Sequence, residues 1–213
     1  MLLSPERIHQ LPYILAALIP ALTFHEWGHA FMATKFGDDT PRYAGRLTMN
    51  PLAHLDPIGT IVIILTGFIG WAKPVPINSR NFRSSWGELW VAFAGPLMNI
   101  ILATLAAVLV RLGAPFWFGA DNIQIVAGLL QIFIFMNLGL AFFNLIPLGP
   151  LDGSHILNRL LPHRAAMNYQ DFNFRFGSMV LFGIILLDGL LGVGILMPLL
   201  RGAVLFVYSL LVG

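Results

Sequence analysis

The sequence His25-Glu26-Trp27-Gly28-His29 stands inside an apolar segment that begins near residue 8, and this combination decides the fold and chemistry of the chain. On a helix, His25 and His29 are one turn apart and their rings leave the same face, where both can bind one zinc ion. Glu26 is not needed as a ligand, so its carboxylate can accept a proton from a water molecule on the metal. The pattern predicts a zinc site with Glu26 as general base. The competing interpretation is a structural pair of histidines near a lipid headgroup layer.

The composition places this motif in a membrane. The chain has 213 residues, of which 57% are hydrophobic and 10% charged, with a mean hydropathy of +0.79. At roughly 20 apolar residues per span, it can form about five to six membrane segments. We therefore predict an all-α integral membrane protein with a single domain over residues 1–213. Ionisable side chains inside a bilayer usually mark function, which favours the catalytic interpretation of the motif.

Charge and cysteine content exclude other classes. The net charge is +2, and the basic residues are scattered rather than clustered, so no nucleic-acid partner is expected. The chain has no cysteine, so any zinc must be held by nitrogen and oxygen ligands. The N-terminal apolar segment runs into the motif without a small-residue cleavage site, which argues against a cleaved signal peptide.

Hydrophobic segments set the expected organisation. Segment A (about 8–35) carries the motif, and segments C (about 87–111) and D (about 122–147) are long enough to span. Segment B (58–71) is apolar over only some fourteen residues, which favours a re-entrant piece. The apolar stretch after residue 175 predicts two helices that turn near Asp188 and residues 192–194. Loose alternation over residues 38–56 predicts a short surface β-hairpin, and two prolines impose an extended backbone on residues 74–78.

A catalytic zinc ion takes three protein ligands and one open position. The candidates for the third ligand are Asp152, His155, Asp56, His54 and Asp188. If segment B is re-entrant, segment D returns to the face that segment A reaches, and Asp152 arrives at the depth of the two histidines. The break in helix D at residues 147–153 also suggests a site, because the backbone groups it releases must be satisfied inside protein or a wet cavity.

Loop charges indicate the orientation. With segment B re-entrant, the metal-side face carries nine basic residues and the other face only Arg7, Arg111 and Arg201. The nine are Lys35, Arg42, Arg46, Lys73, Arg80, Arg83, Arg159, Arg164 and Arg175. By the positive-inside rule, a multi-pass protein of the cell membrane with its metal site toward the cytoplasm is expected.

Three motifs on separate segments, HEWGH (25–29), GPLMN (95–99) and NLIPLGPLDG (144–153), closely resemble those of the site-2 protease family of intramembrane zinc metalloproteases. The loop sequences GRLTMNPLAHLDPIG and GWAKPVPIN are similar to those of its minimal bacterial and archaeal members, which lack a PDZ domain. The resemblance covers roughly residues 20–160. It implies that Asp152 is the third zinc ligand, Glu26 the base and Asn144 a polar group near the substrate or oxyanion.

Together these observations predict a zinc endopeptidase, with one Zn²⁺ per chain, that cuts single-pass transmembrane proteins within the lipid bilayer. Asn99 places a second amide at membrane depth and is a further candidate for contact with substrate, although such residues often only join helices. Residues 45–50 or 74–78 could receive an unwound substrate by strand addition. The alternative is a non-proteolytic membrane protein that binds or transports a divalent metal, which would not need the base Glu26.

Overall fold

The computed structural model describes residues 5–66, 71–191, 194 and 196–213, and within these ranges the chain is helical and contains no β-strand. Two of the described helical stretches, Gly87–Arg111 and Ala120–Asn144, are long and apolar enough to cross a membrane. The prediction of an all-α chain is therefore confirmed for this part of the protein. The described α-helices are α1 (Pro5–Lys35), α2 (Thr40–Tyr43), α3 (Pro57–Thr66), α4 (Gly87–Arg111), α5 (Ile123–Asn144), α6 (Asp152–Leu160), α7 (His163–Phe172), α8 (Ser178–Leu191) and α9 (Leu196–Val212).

Three long helices, α1, α4 and α5, pack against one another and form the centre of the fold. Their contact surfaces are rich in buried alanine, including Ala21 and Ala30 on α1 and Ala103 on α4. A Cβ atom on Gly28 would lie 2.8 Å from the carbonyl oxygen of Ala94, so α1 and α4 cross almost backbone to backbone. Small residues permit this approach, which is the usual way that helices pack inside a membrane.

The C-terminal helix α9 completes this core by packing on α5 and α4. Ile134 and Leu138 on α5 are fully buried, and they join Val204 of α9 in one apolar cluster. The rings of Phe135 and Tyr208 stack with centroids 4.6 Å apart. Helix α9 therefore packs on α5 through this apolar cluster.

The loop over residues 38–56 does not form the predicted β-hairpin. Pro41 and Pro51 instead begin α2 and a short 3-10 helix, where the missing N–H of proline carries no cost. The buried guanidinium of Arg46 donates to the carbonyl oxygens of Ala53, Lys73 and Pro74. Arg46 thus ties this loop to residues 73 and 74, and no strand forms within residues 38–56, so the hairpin prediction is wrong for this loop.

The two ends of segment B meet at one place. The backbone N–H of Lys73 donates to the carbonyl oxygen of His54 at 2.8 Å, and Leu55 and Ala72 form an isolated antiparallel bridge. Between these ends, α3 has 10 residues, about half the length of a membrane span. The remainder of the segment, residues 67–70, lies outside the described residues.

Asp38 joins the loop after α1 to the loop before α4. Its buried carboxylate accepts hydrogen bonds from the hydroxyl of Thr40 at 2.5 Å, the backbone N–H of Asn78 at 2.7 Å and the amide of Asn81 at 2.8 Å. Burial by itself raises the pKa of Asp38, but these donors outweigh it and hold the pKa below the usual value. The charged carboxylate therefore clamps the two loops together.

The chain turns sharply between α5 and α6. Helix α5 ends at Asn144 and α6 begins at Asp152. Gly153 packs directly on the carbonyl oxygens of Leu145 and Ile146, where a Cβ atom would collide. This turn lays α6 against α4 and brings its first residue back to α1.

Two helices follow α7, as predicted for the C-terminal stretch. Helix α8 ends at Leu191 and α9 begins at Leu196. Asp188 caps the start of α9, since its Oδ2 atom accepts from the backbone N–H groups of Leu196 at 2.6 Å and Met197 at 2.9 Å.

Candidate metal centre

Helix α1 presents His25 and His29 side by side, as their spacing predicts. The two ring centroids are 4.8 Å apart and the rings meet edge to face at 83°. Both residues are buried, with 4% and 7% of their surfaces exposed. A buried pair of imidazoles in an apolar helix needs polar partners on both ring nitrogens, and neighbouring elements supply them.

The Nδ1 atoms of both rings face acceptors on α4. His29 Nδ1 lies 2.7 Å from the carbonyl oxygen of Val91, and His25 Nδ1 lies 2.6 Å from Oδ1 of Asn99. A carbonyl oxygen can only accept, so His29 carries its proton on Nδ1. Its Nε2 atom then carries a lone pair that can bind a metal ion. Outer partners of this kind fix the tautomer of histidines that bind metals.

Asp152 faces both Nε2 atoms from the first turn of α6. Its Oδ2 lies 3.2 Å from Nε2 of His25, and its Oδ1 lies 3.4 Å from Nε2 of His29. One ligand atom from each of the three residues lies within 4.8 Å of the others, the single such group of His, Asp or Glu among the described residues. Asp152 is one of the five candidates that the sequence left for the third ligand.

The donor set fits a zinc ion. With protons on both Nδ1 atoms, the lone pairs of both Nε2 atoms and the carboxylate of Asp152 face one another with no hydrogen atom between them. A bound cation would remove the resulting electrostatic repulsion. Oδ2 of Asp152 is buried and accepts no hydrogen bond from the described residues. Buried polar atoms normally have a partner, so this oxygen is available to bind a metal ion. Two imidazoles and one carboxylate are also a known protein ligand set of catalytic zinc.

The imidazoles of His25 and His29 occupy space on α4 that a side chain at Gly95 would fill. A Cβ atom at this position would lie 2.6 Å from Cε1 of His29 and 2.7 Å from Nε2 of His25. Real Cβ atoms essentially never make contacts under 3.0 Å. The pair of imidazoles therefore approaches the backbone of α4 more closely than any side chain at this position would allow.

A cavity of about 430 Å³ opens onto the three converging side chains. Glu26 and Asn144 line it, so both residues stand where the sequence predicted contact with water or substrate. One wall consists of Pro74, Val75 and Ile77, from the proline-rich loop. Of the two loop edges proposed to receive substrate, residues 74–78 contribute to the described lining and residues 45–50 do not.

His155 pairs with another residue of the cavity wall instead of joining the ligand group. Its Nδ1 lies 3.4 Å from Oε1 of Glu88, and both side chains are partly exposed at the cavity. The hydrogen bond and negative charge of Glu88 raise the pKa of His155, although burial opposes this shift.

The remaining candidates lie in other hydrogen bonds. His54 is fully buried with Nε2 2.8 Å from the carbonyl oxygen of Thr48, and Asp56 caps α3 through the backbone N–H of Gly59 at 2.8 Å. Asp188 caps α9. None of these three belongs to the described cavity lining or to the convergent group.

Asn99 lies behind His25 and is fully buried. Its amide donates to the carbonyl oxygen of Ala21 at 2.9 Å and to Oδ1 of Asn137 at 3.0 Å. Both of its N–H groups are thus engaged, so the geometry favours a role in holding His25 over contact with substrate. The sequence did not single out Asn137, whose one signal is that it is among the four amide side chains of the apolar helix α5.

Comparisons with known proteins agree with this chemistry. The profile of Peptidase family M50 matches residues 13–117 and 112–187. YwhC of Bacillus subtilis (strain 168), named as a zinc metalloprotease, is 44% identical over 161 residues, which cover 71% of this chain and 70% of YwhC. Rip2 of Mycolicibacterium smegmatis, also named as a zinc metalloprotease, is 32% identical over 166 residues, 71% of this chain and 60% of Rip2.

A more distant relative aligns over more of this chain. Zinc metalloprotease MJ0392 of Methanocaldococcus jannaschii is 27% identical over 192 residues, which cover 90% of this chain and 46% of MJ0392. The aligned part is less than two thirds of both Rip2 and MJ0392. No solved structure matches the chain significantly.

Proposed function

The chain belongs to Peptidase family M50 and is a zinc metalloprotease, and from that premise we propose that it cleaves other membrane proteins within or near their transmembrane segments. The observation that carries this proposal is the convergence of His25, His29 and Asp152 beside Glu26 in one cavity, whose lining also includes apolar residues of α4 and of the proline-rich loop. His25 and His29 lie on a helix that packs against both described candidate spans, and ionisable groups placed among such helices usually mark function inside a membrane.

The proposed roles of the residues follow from their positions. His25, His29 and Asp152 hold the zinc ion, and when bound it supplies Lewis acidity, which lowers the pKa of water and polarises a carbonyl. Glu26 lines the same cavity and accepts the proton of the attacking water at its carboxylate. The water oxygen bonds to the peptide carbon, the C–N bond breaks, and Glu26 returns the proton to the leaving amine. Asn144 lines the same cavity and offers a polar contact for the substrate carbonyl.

The depth of the metal site along α4 requires a substrate helix to unwind before it can be cut. Val91 and Gly95, which touch the histidines, are four and eight residues from the start of α4, or about 6 to 12 Å along its axis. A spanning helix hides its carbonyls in its own hydrogen bonds, so it must unwind near its end to reach this depth. Residues 74–78 run along the cavity, and an unwound segment could pair with them as an added strand.

The membrane arrangement that we propose is multi-pass, with about five to six segments. Helices α4 and α5 have the length and apolarity of spans, and the still longer α1 packs against both. The meeting of Lys73 with His54 at the two ends of segment B supports a re-entrant course for that segment. Aromatic side chains exposed at both ends of α4, Trp86 and Trp117 among them, match the belts at the two surfaces of a bilayer.

The loops beside the metal centre carry most of the positive charge, which supports an active site toward the cytoplasm. Asp38 and Arg46 join the loop of residues 38–56 to that of residues 72–83, so both belong on one side of the membrane. The nine basic residues named above lie in or beside these loops and the α6–α8 region. Such asymmetry is typical of cytoplasmic loops.

The proposal is tested by proteolysis of a single-span protein in lipid nanodiscs. Wild-type protein should cut the test substrate, and Glu26→Gln should retain zinc while turnover falls by roughly 10²–10⁴-fold, the usual contribution of a general base. Asp121→Asn, in the turn at the other end of α5, is the matched carboxylate control and should cut normally. Turnover by Glu26→Gln at the wild-type rate would refute the assigned base.

The non-proteolytic alternative, a membrane protein that binds or transports a divalent metal, is less well supported. Relatives named as zinc metalloproteases favour the hydrolase. A transport site also has no use for a carboxylate beside its ligands that does not bind the ion, which is the position of Glu26.

A further inference from the structure

A chain of side-chain hydrogen bonds connects the metal centre to the interior of α5. His25 Nδ1 lies 2.6 Å from Asn99 Oδ1, and Asn99 Nδ2 lies 3.0 Å from Asn137 Oδ1. Asn137 Nδ2 lies 2.9 Å from the backbone carbonyl oxygen of Phe133. Asn99 and Asn137 are both fully buried, and the two bonds that join His25, Asn99 and Asn137 are buried as well.

Backbone carbonyls give the chain a single direction. The oxygen of Phe133 can only accept, so the nitrogen of Asn137 must face it and the oxygen of Asn137 must face Asn99. The oxygen of Ala21 likewise requires a nitrogen from Asn99 at 2.9 Å. With both acceptors in place, Asn99 turns its nitrogen toward Ala21 and Asn137 and its oxygen toward His25, which places the histidine proton on Nδ1.

We infer that Asn137 is a positioning residue of the metal centre, because through Asn99 it holds His25 in the tautomer whose Nε2 can bind zinc. The inference rests on the metal site of the proposed function and extends it to a residue on a third helix. Without the acceptor on Asn137, one N–H of Asn99 is left buried and unpaired. Only the bond to the Ala21 carbonyl then still favours the present orientation of Asn99. The alternative orientation, with oxygen and nitrogen exchanged, becomes more accessible, and it would present a donor to His25 and reverse its tautomer.

A purely structural role for Asn137 predicts different results. Asparagine pairs often join helices in membranes, and losing such a pair lowers stability without altering a metal site. Positioning instead predicts a change in zinc affinity and in the location of the His25 proton. Asn137→Asp separates the two roles further, because a neutral carboxyl group can donate to Phe133 and accept from Asn99 as the amide does.

The experiment compares four variants of the full chain in detergent. Asn137→Leu and Asn137→Ala both remove the acceptor but leave side chains of different volume. The test needs only one of the two to fold. Asn137→Asp restores it. Thr23→Val is the control, since Thr23 is buried on α1 and bonds only within its helix, to the carbonyl oxygen of Ile19 at 2.7 Å. Zinc affinity is measured by competition with a chelator, and the His25 tautomer by ¹⁵N NMR of metal-free protein.

We expect Asn137→Leu or Asn137→Ala to bind zinc about 10-fold more weakly, at the lower end of the effect of outer partners, and to shift the His25 proton from Nδ1 toward Nε2. Asn137→Asp and Thr23→Val should match wild type in both measurements. Wild-type affinity and tautomer in Asn137→Leu or Asn137→Ala, even with a lower unfolding temperature, would overturn the inference. Failure of the wild-type chain to bind zinc would instead refute the proposed metal site.

Discussion

The metal centre should be lost when a single methyl group is added to α4 in the variant Gly95→Ala. The new Cβ atom would lie 2.7 Å from Nε2 of His25 and 2.6 Å from Cε1 of His29, so it would clash with both imidazoles. Neither ring can retreat easily, because its Nδ1 atom is bonded to Asn99 or to the carbonyl of Val91 on the same helix.

The structure gives the size of the displacement. Ordinary van der Waals contact of a Cβ atom begins at 3.4 Å, so Nε2 of His25 must move by about 0.7 Å, the difference between 3.4 and 2.7 Å. Metal–ligand distances tolerate only about ±0.2 Å, roughly a third of that movement. We expect zinc affinity to fall by at least about 100-fold, the upper end of the effect of losing an outer partner, and proteolysis to fall with it.

Chelator competition on purified Gly95→Ala measures this loss directly. Gly139→Ala and Gly128→Ala make the same change on α5 at positions where no described atom lies within 4 Å of the added carbon. Because alanine favours a helix over glycine by roughly 0.5–1 kcal/mol, these controls should bind zinc normally and unfold at the same or a higher temperature. Wild-type zinc affinity in Gly95→Ala would refute the geometry of the site.

Three further predictions concern other parts of the molecule. Asp152→Asn should lose zinc affinity and proteolysis together, whereas Asp56→Asn, which removes a cap of α3, should keep its zinc; the reverse result in metal analysis would make Asp56 the third ligand. Cysteines introduced at Ser79 and Thr40 should react with a membrane-impermeant reagent from the same, cytoplasmic side, and labelling from opposite faces would refute the re-entrant course of segment B. Because the pKa of Asp38 is lowered on folding, its charge stabilises the protein above the unfolded pKa of about 3.9 and ceases to do so as pH falls through the folded value. The difference in unfolding temperature between wild type and Asp38→Asn should therefore be largest near neutral pH and shrink below about pH 4, and a difference independent of pH would contradict the clamp.

Local sequence was a reliable guide where a single helix decides the outcome. The i, i+4 spacing of His25 and His29 places two ligands on one face whatever the rest of the chain does. The neighbouring Glu26 follows from the same motif, and it lines the cavity with them. The helical class likewise follows from composition, because apolar segments of this length satisfy their backbone groups as helices.

Local pattern misled where distant groups compete for the same backbone atoms. Alternation in residues 38–56 predicted a hairpin, but Arg46 reaches across to Lys73 and Pro74, and no property of the loop itself signals that contact. His155 was a further candidate ligand from the sequence, three residues from the favoured Asp152 on α6. The presence of Glu88 on α4 is what separates them.

The sequence by itself therefore determined the membrane character and the helices, and it predicted two metal ligands and the base, because covalent spacing along a helix sets which side chains share a face. Topology and family resemblance also predicted Asp152 as the third ligand. The tertiary structure alone decided that Gly95 must lack a side chain and that Asn99 and Asn137 stand in line behind His25. Each of these depends on how three or four helices approach one another. That approach is set by the summed packing of many small contacts, which no short stretch of sequence contains.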